Sequence, residues 1–163
     1  MSEKPSYGSR PDLLPQSLVK VVRASAGSGR LLEWVGRAGL ELLDASEDTR
    51  YQRESLDCFT HNSDGLIAWG LVDQGSILYE GNLDNPNPLG LIKEYAPDAD
   101  IAIILWSNVL LPSVKLDLDV AQNKLPELAR VVREFWIYLP VNSVIIEHAF
   151  HGSVTVARVR SHR

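Results

Sequence analysis

The chain of 163 residues has little of what most recognisable chemistries require. Its single cysteine, Cys58, excludes an internal disulfide and fits a reducing compartment. The longest uncharged apolar run, residues 101–114, is interrupted by Ser107, Asn108 and Pro112 and falls short of a membrane span. The opening MSEKPSYGSRPD has no apolar centre and does not read as a signal peptide. No cluster of Lys and Arg is interleaved with aromatics, so phosphate contacts to nucleic acid are not expected. No G-x-S-x-G nucleophile elbow, internal repeat or low-complexity tract occurs. These absences leave a soluble, cytoplasmic protein with no cofactor, no membrane and no nucleic-acid partner.

What is present is an ordinary globular composition, 45% hydrophobic and 23% charged, with charge unevenly spread. Residues 31–125 hold six Lys/Arg against sixteen Asp/Glu, a net of −10, whereas both flanks are net positive. An acidic middle favours a basic partner by steering and complementarity, although a merely solvated acidic face would look the same.

The length suits one domain. Residues 1–11, rich in Ser, Pro and Gly, read as a disordered segment preceding a single α+β domain over 12–163. Leu14, Leu18, Val21 and Val22 recur at helical spacing, as do Leu31, Trp34, Val35, Ala38 and Leu42. A third helix after Asp48 would align Tyr51, Leu56 and Phe59. In residues 64–80, two apolar runs flank Asp73-Gln74-Gly75, the pattern of a β-hairpin. A turn-rich loop spans 81–88, and 101–106 reads as a strand buried on both faces. Over 114–120, Val114, Leu116, Leu118 and Val120 alternate with Lys115, Asp117 and Asp119 as in a half-buried strand. A stripe of Leu125, Leu128, Val132, Phe135 and Leu139 predicts an amphipathic helix over 125–139, with Pro126 in its first turn. A closing hairpin pairs 144–150 with 154–159 around His151-Gly152. The fold predicted is α+β: a mostly antiparallel sheet of about five to six strands, N-terminal helices, and one amphipathic helix packed on it.

Candidate chemistry is sparse. Gly27-Ser28-Gly29-Arg30 lacks the strand and Gly-Lys-Ser/Thr ending of a phosphate loop and reads as an interhelical connector. Glu147, His148 and His151 lack a further ligand of matching geometry, and a metal site is not expected. Asp117 and Asp119, about 7 Å apart on one strand face, have the spacing of an acid–base pair but read better as a solvated or partner-binding face. Cys58 and His61 could approach on a helix, yet Cys58 between Leu56 and Phe59 reads as a small packed residue. Trp34, Trp69, Trp106 and Trp136 each fall within an apolar periodicity and read as core, or as an anchor if one proves exposed.

Residues 40–79 resemble the SUKH superfamily, the SMI1/KNR4-like domains. The resemblance rests on Asp48-Thr49 before Arg50-Tyr51-Gln52-Arg53, then Asp64-Gly65, Trp69-Gly70, Asp73-Gln74-Gly75 and Ile77-Leu78-Tyr79. The Leu-Pro and Trp-Pro steps that often accompany these elements are missing. Many bacterial members look like immunity proteins that neutralise a toxin, often a nuclease. With the acidic middle segment, the resemblance implies a non-enzymatic protein that binds a basic toxin domain; the acidic and aromatic residues around the expected hairpin and alternating strand, Asp64, Trp69, Asp73, Asp84, Asp117 and Asp119, are the candidate contact surface. Two alternatives stay open. One is a small enzyme or ligand-binding protein with a cleft near the closing hairpin, using Glu147, His148 or Asp119. The other is a homo-oligomer joined through the 101–111 run.

Overall fold

The computed structural model describes residues 6–24, 32–82 and 88–160. Strands β1 (Val19–Ala24) and β2 (Leu32–Gly36) form a two-stranded antiparallel ribbon. A seven-stranded antiparallel sheet follows, built from β3 (Leu40–Leu42), β4 (Ile77–Asn82), β5 (Ile101–Trp106), β6 (Val114–Asp117), β7 (Phe135–Leu139), β8 (Val144–His148) and β9 (Ser153–Arg158). Its lateral order is β3-β6-β5-β7-β8-β9-β4. Three helices complete the described elements: α1 (Ala45–Glu54), α2 (Pro88–Tyr95) and α3 (Leu118–Val131). The class is α+β, dominated by the sheet. No helix among the described residues is long and apolar enough to cross a membrane.

Because strand side chains alternate, the central sheet buries both faces. One face presents Ile104, Leu116, Phe135, Ile137, Ile146 and Val156 to Leu91 and Ile92 of α2, Leu125 and Leu128 of α3, and the N-terminal Leu14 and Leu18. The other presents Ile103, Leu105, Trp136, Tyr138 and Ile145 to Leu43, Tyr51, Leu56, Leu66 and Ile67. Each fully buried Leu or Ile contributes roughly 1.5–3 kcal/mol by leaving water. Two-sided burial explains why β5 and β7 are continuous apolar runs rather than alternating ones.

Several expected elements form otherwise. The helices expected around 14–22 and 31–42 are strands. Val19, Val21 and Val22 are β-branched and lose side-chain freedom in a helix, and Gly36 and Gly39 form a sharp β2–β3 corner. A Cβ on Gly39, at φ +79, would collide with the Val120 side chain, and one on Gly36 with the Leu40 carbonyl oxygen. Gly27-Ser28-Gly29-Arg30 lies outside the described residues, but the elements it joins are antiparallel strands.

The third expected helix forms in part as α1: it starts ahead of Asp48 and carries Tyr51 but ends at Glu54, so Leu56 falls in a separate 3₁₀ turn and Phe59 in extended chain beyond it. The helix begins at Ala45 because the Asp44 carboxylate accepts from the Glu47 amide at 2.8 Å while Glu47 reaches back to the Asp44 amide, a capping box. Residues 66–72 are not a strand, so the 64–80 hairpin does not form. Asp64 folds back to accept from the Leu66 amide at 3.0 Å, and Trp69–Leu71 and Gln74–Ser76 are single 3₁₀ turns. Only Ile77–Asn82 is a strand, and it pairs with β9. In the loop expected over 81–88, Gly81 and Asn82 belong to β4, Pro88 opens the unforeseen α2, and residues 83–87 lie outside the described set.

The expected strand over 114–120 stops at Asp117, and α3 starts there instead of at Leu125. Pro126 consequently lies inside the helix rather than in its first turn. Phe135 and Leu139 match the helical period only by coincidence. The FWIYL run is a central strand between β5 and β8, where five consecutive apolar residues can all be buried. Residues 101–106 and the closing hairpin form as expected. Residues 6–11, expected to lack structure, are tied down: Tyr7 Oη donates to the Leu43 carbonyl at 3.0 Å and accepts from the Ser113 amide at 2.7 Å. The Gly8 and Arg10 amides donate to Val109 and Leu110.

Candidate functional site

The most organised polar group in the interior is Glu147, on β8 and only 3% exposed. Its carboxylate accepts from the Ile67 amide at 2.8 Å, Trp69 Nε1 at 2.8 Å and Trp136 Nε1 at 2.9 Å. A carboxylate is an acceptor with several lone pairs, so one buried side chain satisfies three donors that would otherwise be stranded. Trp136 stands on neighbouring β7, whereas Ile67 and Trp69 belong to the loop over that face. Glu147 thus clamps the 60–71 loop to the sheet and takes the Ile67 amide that a hairpin ladder would have used. The clamp also fixes Trp69, whose ring packs on Phe59 at 5.7 Å between centroids.

Beside this pair lies an open hollow of about 270 Å³, lined by Phe59, Leu71, Val72, Asp73, Arg158 and Arg160, with Cys58, Thr60 and Ser76 also in its wall. Leu71 is 75% exposed. Asp73 caps the following turn through the Gly75 amide at 3.1 Å and pairs with Arg160 at 2.9 Å. Next to it, a wider depression of about 660 Å³ shares Cys58 and is bordered by Arg50, Arg53, Glu54, Tyr138 and Pro140. Burial and the adjacent Glu54 push the Tyr138 phenol up to about 12, so it stays protonated near neutral pH.

The expected contact surface divides in two. Asp64 and Trp69 lie on the clamped loop and Asp73 just after it, ahead of the Gln74–Ser76 turn. Asp117 and Asp119 stand on the opposite flank of the same sheet rim, and Asp84 lies outside the described residues. Ile101 pairs with Asp117, Ile103 with Tyr138, Leu139 with Val144, and Val144 with Arg158, so Asp117 and Arg158 share one strand end. Four strand spacings separate them, about 19 Å. The acidic flank gains two residues that spacing alone does not reveal, Asp98 and Asp100. The Asp100 carbonyl accepts from the Leu118 amide at 3.1 Å, bringing it alongside Asp117 and Asp119. All four are exposed, and none forms an ion pair among the described side chains. Asp117 and Asp119 do not share a strand face: Asp117 is the residue before α3 and Asp119 is in its first turn, where the helix dipole favours carboxylates.

The other constellations separate. Glu147 and His148 point to opposite faces of β8, and Asp119 is on a distant helix, so the three do not converge. His148 Nδ1 faces the Arg133 carbonyl at 3.1 Å and its ring stacks on Phe135; burial holds its pKa below the usual 6.5. His61 does not activate Cys58. Its ring nitrogens lie 2.8 Å from the Gly65 and Leu56 carbonyl oxygens, while Cys58 Sγ donates to the Arg53 carbonyl and burial raises its pKa. Among the described residues no group of three or more His, Cys, Asp or Glu could hold a metal ion. Trp106 and Trp136 are core as expected, Trp69 is half-buried, and the Trp34 side chain is outside the described set. Phe59, Leu71, Arg158 and Arg160 escape sequence reading, because only the pairing of β4 with β9 brings the loop and the C-terminal arginines together.

No protein-family model matches the chain, and no curated protein matches it by sequence.

Proposed function

We propose that this chain is a non-enzymatic binding protein that engages a basic protein surface, as an immunity protein engages a nuclease-like toxin, through the acidic rim of Asp98, Asp100, Asp117 and Asp119. The observation that carries the reading is the state of Asp117. It occupies the N-cap position of α3, yet its side chain makes no capping hydrogen bond and no ion pair among the described side chains. A residue type that normally caps a helix is here left directed to solvent beside three other unpaired carboxylates. Such a group steers a basic partner and loses its advantage as salt screens it.

The test is affinity capture on the intact chain at low and high salt, followed by association kinetics with the purified captured protein. A basic protein bound at low salt, with an association rate that falls with salt and in the Asp100→Lys/Asp117→Lys/Asp119→Lys variant, supports the reading. Binding indifferent to both salt and charge reversal would overturn it.

A further inference from the structure

We propose that the hollow beside the clamped loop binds the C-terminal residue of a partner polypeptide, one ending in a large apolar side chain. Three observations converge on that occupant. The floor is apolar and held in place: Phe59 rests on Trp69, which the buried Glu147 fixes through its indole N–H. Leu71 and Val72 extend the apolar wall, and Leu71 projects into solvent at 75% exposure. The same hollow is lined by two arginines against one carboxylate. Asp73 neutralises Arg160 at 2.9 Å, whereas Arg158, exposed at the end of β9, has no ion pair among the described side chains. One uncompensated guanidinium therefore faces an apolar floor, and guanidinium pairs best with a carboxylate in a two-pronged geometry.

The geometry favours a chain terminus over an internal acidic residue. In an extended peptide, neighbouring side chains point to opposite sides, so an adjacent acidic and apolar pair cannot both enter one small hollow. A terminal residue presents its carboxylate and its side chain from the same Cα. A hollow of about 270 Å³, open to solvent, suits one such residue with the preceding chain leaving the surface. It is smaller and less enclosed than the clefts that bury whole small ligands.

Titration of the isotopically labelled full chain by amide NMR tests this, with N-acetyl-leucine as the probe. Three controls accompany it: N-acetyl-leucinamide without the charge, acetate without the apolar group, and N-acetyl-leucyl-aspartamide with an internal carboxylate. N-acetyl-leucine should shift the amides of Phe59, Leu71, Val72 and Arg158 saturably, and each control should bind about tenfold more weakly, as expected for loss of one charged or apolar contact. Arg158→Gln should weaken binding comparably while the remaining spectrum stays in place. Asp73→Asn, by releasing Arg160, should tighten it. Equal response to N-acetyl-leucinamide, shifts centred elsewhere, or no shifts would overturn the proposal. Stronger binding of N-acetyl-leucyl-aspartamide would overturn the terminal-residue assignment.

Discussion

The acidic flank and the arginine-lined hollow occupy one rim of one sheet and are built in opposite ways. At the acidic flank, exposed carboxylates stand on a strand end and in a first helical turn. At the hollow, the charges border aromatic rings held by a buried carboxylate with three donors. Exposed charge acts mainly on the rate of encounter and is screened by salt, whereas a preorganised apolar floor acts mainly on residence time. The same rim thus offers one surface suited to attracting a partner and another suited to keeping one.

Removing the clamp should break this contrast most severely. Glu147→Leu strands the Ile67 amide and two indole N–H groups, and at about 1–3 kcal/mol for each unsatisfied group the expected loss is at least about 3 kcal/mol. Denaturant unfolding measures it, and hydrogen exchange should quicken over 60–71 while α3 remains protected. Phe59→Ala should be milder, about 2 kcal/mol, because the ring is only half-buried and loses one aromatic partner. Leu71→Ala should leave the unfolding midpoint unchanged, since the side chain is already in water.

Acidification should act on the sheet's interior. The folded pKa of His148 lies below 6.5, so the unfolded chain binds the proton first as pH falls. Its contribution to stability is fully present above about 6.5 and is lost as pH drops from there toward the lowered folded value. Urea midpoints measured across that window should fall in the native protein and less in His148→Phe. Asp117→Lys should act chiefly on association kinetics and cost no more than about 1 kcal/mol of stability, through the helix dipole that favours a carboxylate at that end of α3.

Where a segment's surroundings are uniform, the sequence predicted it well. The 101–106 run and the closing hairpin form as read, because continuous apolarity and a tight Gly-containing turn each have one low-energy solution. Where two periods fit, reading failed. Leu125, Leu128 and Val132 do lie on a helix, yet Phe135 and Leu139 continue the same spacing inside a strand. The candidate site was half legible: Asp117 and Asp119 belong to the acidic rim, and Trp69 and Asp73 to the hollow. Reading them as one surface ignored the four strand spacings that separate them. From the sequence Glu147 reads as a ligand or base, because nothing local indicates that two tryptophans and a distant amide converge on it.

By itself, then, the sequence determined the α+β class, the two-sided burial of the central strands and the acidic excess of residues 31–125. Each follows from composition or from periods within about ten residues. Only the tertiary structure decided whether residues 19–42 were helix or strand, where the 64–80 segment sought its hydrogen bonds, and which charges share a rim. Those outcomes depend on pairings across the chain, such as Ile67 with Glu147, β4 with β9 and Asp100 with Leu118, and the free energy of a long-range pair is written in neither partner alone.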